Sequence, residues 1–244
     1  MRTTLPLLLS ATLALASETR ALQDAPPQPG ATASDAYRPG HRVREEFTLP
    51  DVNSRAHVLV RMPPLEDVAP GGSRGNEVAG GLTTVLVFWS LRDPTSHAYV
   101  LKLEELQREL AERKVSIFLV ASNHDEITAG AVDPLKKIRD YVEKERVTLP
   151  ILIDVRNKLA DRFGAVCANH AFVVGADRVV KYAGGIDDDP QGKLERGGYD
   201  VRHYLLLAIE STLAGTVVEH ENTRPSGRPI KRAPEEKGDA EKGR

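Results

Sequence analysis

Asp93, His97, Cys167, Asn169 and His170 are the side chains whose types and positions could do chemistry, with Trp89 and Pro94 framing the first of them. Asp93 precedes Pro94 at the end of a short apolar run, Val85-Leu86-Val87-Phe88-Trp89. An aspartate accepts hydrogen bonds from the free N–H groups that open a helix. Proline suits the next position, where its missing N–H loses nothing. The pair predicts a helix that starts at Pro94 directly after a buried strand and a short loop. Such a helix N-terminus stabilises an anion through its dipole and free amides. In many proteins that anion is a cysteine thiolate; here the carboxylate of Asp93 holds the place. His97 lies four residues on, on the same helix face. Cys167 is the sole cysteine, so no intramolecular disulfide forms.

Elements that could position these residues follow from apolar periodicity. Phe47–Asp51 and His57–Arg61 read as the arms of a hairpin, and Val85–Trp89 as the central strand. A helix from Pro94 to about Arg113 turns Tyr99, Val100, Leu103, Leu106 and Leu110 inward. Val115–Val120 and Pro150–Asp154 are further strands, separated by a helix from Asp133-Pro134 to about Glu145 that repeats the capping signal. Asn157 could cap a short helix through Phe163. Ala171–Val174 and Val179–Tyr182 flank the turn 175–178 as a hairpin, and a last helix runs from about Asp200 to Leu213. This alternation demands parallel strands joined by right-handed crossovers, an antiparallel late edge, and helices on both faces.

The bulk of the chain narrows the classes of function. Its 244 residues are 41% hydrophobic and 28% charged, ordinary for a globular protein with one sizeable core. A net charge of −2 and 5% aromatics give no basis for nucleic-acid binding or for an anionic membrane surface. Arg2, the apolar run Leu5–Ala16 and the Ala14-Leu15-Ala16 site read as a signal peptide over residues 1–16. That run is too short to span a bilayer, so no membrane span is expected after cleavage, and the protein is expected to be periplasmic or extracellular. Residues 17–40 form a Pro-rich linker, 41–215 the folded domain with an inserted Pro/Gly-rich loop at 62–81, and 216–244 a polar tail, extended along the domain and then disordered.

Several motifs together resemble the thioredoxin fold, in its redoxin or peroxiredoxin-like (AhpC/TSA-type) exported branch. They are Phe47-x-Leu49-x-Asp51, Val87-Phe88-Trp89-Ser90, Pro94-x-Ser96-x-x-Tyr99, the segment Phe163–Phe172, Tyr182-x-Gly184-x-Ile186-Asp187-Asp188, and Thr223-Arg224-Pro225-x-Gly227-x-x-Ile230-Lys231. The resemblance implies a thioredoxin-like three-layer α/β/α sandwich with a mixed central sheet and an N-terminal β-hairpin extension. It implies thiol-disulfide exchange or peroxide reduction as the family chemistry, with no cofactor. It also places Asp93 where the family carries its nucleophilic cysteine, Asn169 at the cis-proline position, and Arg228 where the subgroup often has a cysteine. A carboxylate cannot attack a disulfide or carry two electrons reversibly. The expected outcome is a degenerate dithiol site and a binding module. Its groove, between the Asp93 and Asn169 loops with Trp89, Pro94, His97 and His170 around it, would accept an extended peptide or protein partner.

Two alternatives remain open on the sequence. Cys167 could act alone as a thiol-exchange residue, its pKa lowered by the helix dipole and raised by Asp93. Asp93, His97, Cys167 and His170 could together hold copper or zinc, although their spacing matches no specific metal motif. Their structural readings are an N-cap, a solvated first-turn histidine and a small buried hydrophobe. The clusters His124-Asp125-Glu126 and Asp187-Asp188-Asp189 read as solvated loops, and Ala168-Asn169 is expected to be trans in a reshaped loop, because a non-proline cis bond costs about 3 kcal/mol.

Overall fold

The computed structural model describes residues 36–60, 81–128 and 132–234. The signal-peptide residues, most of the linker, nearly all of the inserted loop and the last ten residues therefore lie outside the described residues. Strand β3 (Thr83–Trp89) is buried along its whole length, with β-branched and aromatic residues facing alternate sides. It lies at the centre of a five-stranded sheet of order β5-β4-β3-β6-β7. Strands β4 (Val115–Ala121) and β5 (Ile151–Ile153) run parallel to it, and the hairpin β6 (Ala171–Val174) and β7 (Val180–Gly184) adds the antiparallel edge. The opening hairpin, β1 (Phe47–Pro50) and β2 (Ala56–Leu59), is a separate two-stranded sheet, tied to β5 by the bond from the Val52 amide to the Ile151 carbonyl.

The two faces of β3 divide the core. Val85, Val87 and Trp89 pack with Tyr99, Val100 and Leu103 of helix α1 (Pro94–Glu109), Ile138 of the later α3 (Lys136–Glu145), and Leu205, Ala208 and Ile209 of the final helix α6 (Tyr204–Ala214). Leu86 and Phe88 face the other way, toward Leu159, Ala160 and Phe163 of α4 (Lys158–Phe163), the opening hairpin, and Ile230 far along the chain. Helices thus cover both faces of a mixed sheet, as the alternation demands.

The structure corrects several local expectations. Helix α3 begins at Lys136, because Asp133 spends its carboxylate on an ion pair with Arg139 and Pro134 stays in the preceding turn. Asn157 does not cap α4; it sits in the left-handed region, and its side chain reaches Ser122 and the amide of Ala233. Asp154 does the capping instead, accepting from the amides of Leu159 at 2.8 Å and Ala160 at 2.9 Å. Neither acidic cluster is solvated as a unit. A one-turn helix α2 (His124–Ile127) buries Glu126, and the loop before helix α5 (Lys193–Arg196) buries Asp187 and Asp189, leaving Asp188 outside. The physical reason is common to both: a turning backbone exposes N–H groups that a carboxylate satisfies better than a buried void would.

The tail is ordered as far as it is described. Residues 216–234 leave α6 and run back along β7 and across the carboxyl end of β3. The Thr223 amide donates to Ala183 O, and Thr223 Oγ1 lies 2.6 Å from the Tyr182 hydroxyl. A Cβ on Gly184 would collide with that threonine, so glycine is what permits the approach.

Glu126 fixes the loop between β3 and α1: its Oε1 accepts from Ser90 Oγ at 2.7 Å and its Oε2 from the Leu91 amide at 2.8 Å. Glu126→Ala is expected to cost about 2–4 kcal/mol in urea denaturation, since the buried Ser90 hydroxyl and the half-buried Leu91 amide both lose their acceptor. Asp125→Ala, which removes only the surface ion pair to Arg92, should cost less than about 1 kcal/mol. Equal losses from the two variants would show that Glu126 does not hold the loop.

Candidate functional site

The chain leaves β3 at Trp89, turns through Ser90–Arg92 and enters α1 at Asp93, as Asp93-Pro94 predicts. The Asp93 backbone is extended, and its Oδ1 accepts from the Thr95 amide at 2.9 Å. One free donor of the helix end is thereby used, and the positive pole of the dipole faces this fixed carboxylate. The second oxygen does something the sequence did not disclose. Oδ2 accepts from the backbone amide of Arg228 at 2.8 Å, with Asn169 Nδ2 at 3.5 Å.

Asn169 forms the opposite wall. Its amide donates to Phe88 O at 2.6 Å, its Oδ1 accepts from Ser96 Oγ at 2.8 Å, and its Nδ2 donates to Ser226 O at 3.2 Å. The Ala168–Asn169 bond is trans, and Asn169 sits at φ +62°, a left-handed conformation asparagine tolerates. Proline could not stand here, because its ring fixes φ near −65° and it has no N–H to give Phe88.

Cys167 is 6% exposed, paired through its backbone with Pro229 in an antiparallel bridge. Burial, then the charge of Asp93, push its thiol up to about 12. At pH 7 that leaves roughly one part in 10⁵ as thiolate. His170 cannot supply a compensating cation: burial pushes its imidazole down to about 3, and the ring packs on Phe172 with centroids 4.4 Å apart. The opposition between dipole and Asp93 is thus settled by desolvation.

The sequence-predicted residues divide into two groups. Asp93, Asn169 and Cys167 come together around the start of α1, joined by Ser96. His97 turns away. It stacks on Trp89 at 6.1 Å and on Tyr141 at 4.6 Å, and its Nε2 lies 2.8 Å from Leu91 O, so it is a half-buried part of the core rim rather than a solvated first-turn residue. Pro94 occupies the first turn and is exposed. Among the described residues no group of three or more His, Cys, Asp or Glu side chains converges as a metal site, and the copper or zinc quartet does not assemble. Ser226 is absent from the sequence reading, and Ser96 and Gly227 enter it only as motif positions with no role at the site. A Cβ on Gly227 would collide with Ala168 O, and that glycine between Pro225 and Pro229 was the one available signal of a close backbone approach.

The groove between the Asp93 and Asn169 loops is consequently filled. Besides the bonds to Asp93 and Asn169, the Ala168 amide donates to Arg228 O at 2.8 Å and the Ile230 amide to Val166 O at 3.0 Å. Residues 226–230 of the chain's own tail lie there as an extended segment, where the sequence reading left space for a partner.

Residues 68–183 match the AhpC/TSA family. Comparison with curated proteins finds no match. Among solved structures, a hypothetical protein from Sinorhizobium meliloti 1021 is similar at a TM-score of 0.62 and 21% identity, covering 82% of this chain and 97% of that one. An uncharacterized conserved protein from Geobacillus kaustophilus is similar at 0.62 and 21%, covering 82% and 95%. A peroxidoxin from Mycobacterium tuberculosis is similar at 0.44 and 19%, covering 73% and 95%. No helix among the described residues is long and apolar enough to cross a membrane.

His170 yields a pH dependence. Its folded pKa lies below the ordinary 6.5, so the unfolded chain takes up the proton first. The stability this contributes is complete above about 6.5 and is lost as pH falls toward about 3. Between pH 6.5 and 5 the wild type should lose up to about 1.4 kcal/mol per pH unit more than His170→Gln in denaturant titrations. Parallel curves for the two proteins would show that the buried imidazole does not drive the loss.

Proposed function

We propose that this protein, whose redoxin-type domain has a thioredoxin-like fold, is an exported, non-catalytic binding module rather than a dithiol oxidoreductase. The carrying observation is Asp93 at the opening of α1, with both carboxylate oxygens engaged by backbone amides. Reducing a disulfide to two thiols takes two electrons and two protons, and a dithiol supplies them by closing its own disulfide. This chain has one sulfhydryl, so it could form only a mixed disulfide that a second thiol must resolve. The carboxylate at the helix end cannot substitute for the missing sulfur. The resemblance to a family site whose nucleophile is cysteine supports reading Asp93 as its replacement. The leader-like residues Arg2 to Ala16 support export.

Single-cysteine exchange through Cys167 is the competing reading, and it meets two obstacles: the residue is buried, and its thiol is pushed up to about 12. Insulin-reduction and peroxide-consumption assays on the full chain should show no turnover above buffer. An alkylating reagent should label Cys167 in denaturant at least a hundredfold faster than in the native protein at pH 8. Turnover that Cys167→Ser abolishes would overturn the non-catalytic reading in favour of the competing one.

A further inference from the structure

The groove holds the chain's own residues 226–230 through a set of bonds that reads backbone geometry more than side-chain identity. Arg228 is gripped on both sides of its peptide: its N–H donates to Asp93 Oδ2 at 2.8 Å, and its carbonyl accepts from the Ala168 amide at 2.8 Å. Ser226 O accepts from Asn169 Nδ2 at 3.2 Å, and the Ile230 amide donates to Val166 O at 3.0 Å. Alternate pairing of this kind is how an extended peptide is added to a protein surface. Three positions set the register. At 227 only glycine fits, since a Cβ would collide with Ala168 O. At 229 proline lies opposite Cys167, and at 230 isoleucine is buried among the residues around Phe163 and Phe172. Between them, residues 226–229 remain exposed on their outer side, so the segment lies on the domain surface rather than inside it.

We infer that the C-terminal segment is the resident ligand of this groove: an intramolecular peptide of the pattern Gly-x-Pro-aliphatic that closes the site and covers Cys167, so that an extended partner peptide enters only when the segment withdraws. This rests on reading the groove as a binding surface. Asp93 is then the acceptor that recognises the peptide N–H at position x, and Asn169 the donor that recognises the carbonyl two residues earlier. The ligand class is an extended, unstructured segment with glycine three residues before a β-branched or branched aliphatic residue. Charge at position x is immaterial to the fit, because Arg228 is exposed there and is held by its backbone.

The test uses the full chain and a fluorescent synthetic peptide of residues 222–234. Gly227→Val should eject the segment, raising hydrogen exchange at the Arg228 and Ile230 amides at least tenfold while leaving the β3 and β4 amides protected. The peptide should then bind Gly227→Val saturably, at least tenfold tighter than it binds the wild type, whose groove is filled. The same peptide carrying valine for glycine should bind neither protein. Asp93→Ala, which adds no volume, serves as the second variant: it should raise exchange of the Arg228 amide at least tenfold, and added to Gly227→Val it should weaken the peptide at least tenfold. The inference is overturned if Gly227→Val keeps the segment protected, if it releases the segment yet binds no peptide, if the wild type binds as tightly, or if Asp93→Ala leaves the Arg228 amide protected. Thiol turnover appearing in Gly227→Val and lost with Cys167→Ser would instead overturn the non-catalytic reading and leave the closing role of the segment intact.

Discussion

The Asp93 carboxylate is the junction on which the site depends. One oxygen terminates α1 through the Thr95 amide, and the other receives the Arg228 amide from the far end of the chain. A side chain that caps a helix is worth about 1 kcal/mol, but here the same group also joins two segments 135 residues apart in sequence. The geometry at this position is that of a fastener. Each of the two oxygens accepts from a backbone amide, one at the helix start and one in the C-terminal segment. A thiolate would present one large, weakly accepting atom and could not divide itself between two amides in the same way.

The rest of the domain uses acidic side chains similarly. Glu126 fastens the Ser90–Leu91 turn, Asp154 caps α4, and Asp189 accepts from the Lys193 and Glu195 amides at the start of α5. Each closes a stretch where the chain leaves regular structure and its N–H groups would otherwise be orphaned. Burial raises the Asp154 pKa against the hydrogen bonds from Ser122, Leu159 and Ala160 that lower it. Tyr99 joins Asp187 through a short hydroxyl bond, and burial together with that carboxylate raises the phenol's pKa. The loops around the site are therefore tied by side-chain carboxylates to backbone amides. That suits a surface which presents fixed hydrogen-bonding positions.

These fasteners mark the boundary of what the sequence made legible. The order of elements along the chain, the α1 start at Asp93-Pro94 and the helices on both faces of the sheet were readable, because period-two and period-3.6 burial and a capping pair are local signals. The trans bond before Asn169 followed from the cost of a cis one. Glu126 and Asp187 were misread as solvated, because a charged residue in a loop looks the same in sequence whether it faces water or a backbone amide 35 residues away. His97 was misread for a related reason: helical spacing placed it on the face of Asp93, but the ring swings toward Trp89 and Tyr141, whose positions depend on packing between β3 and α3. The tail's path was expected to be extended, yet its destination depended on Gly227, one glycine in a polar run.

The thiol and the tail are one problem in physical terms. Cys167 sits on the loop that faces α1; burial raises its pKa, and the nearby charge of Asp93 raises it further. The residue that carries this thiol is paired through its backbone with Pro229 of the segment that fills the groove. Remove the segment, and water reaches the thiol while Asp93 loses the amide that occupied its Oδ2. The carboxylate then repels a thiolate more effectively, because it has one fewer donor to offset its charge. Opening the groove thus relieves one cause of the raised pKa and strengthens the other. Because burial is the larger of the two causes, withdrawal of the segment would bring the thiol's pKa down, while the Asp93 carboxylate would still hold it above that of the same thiol without a neighbouring negative charge.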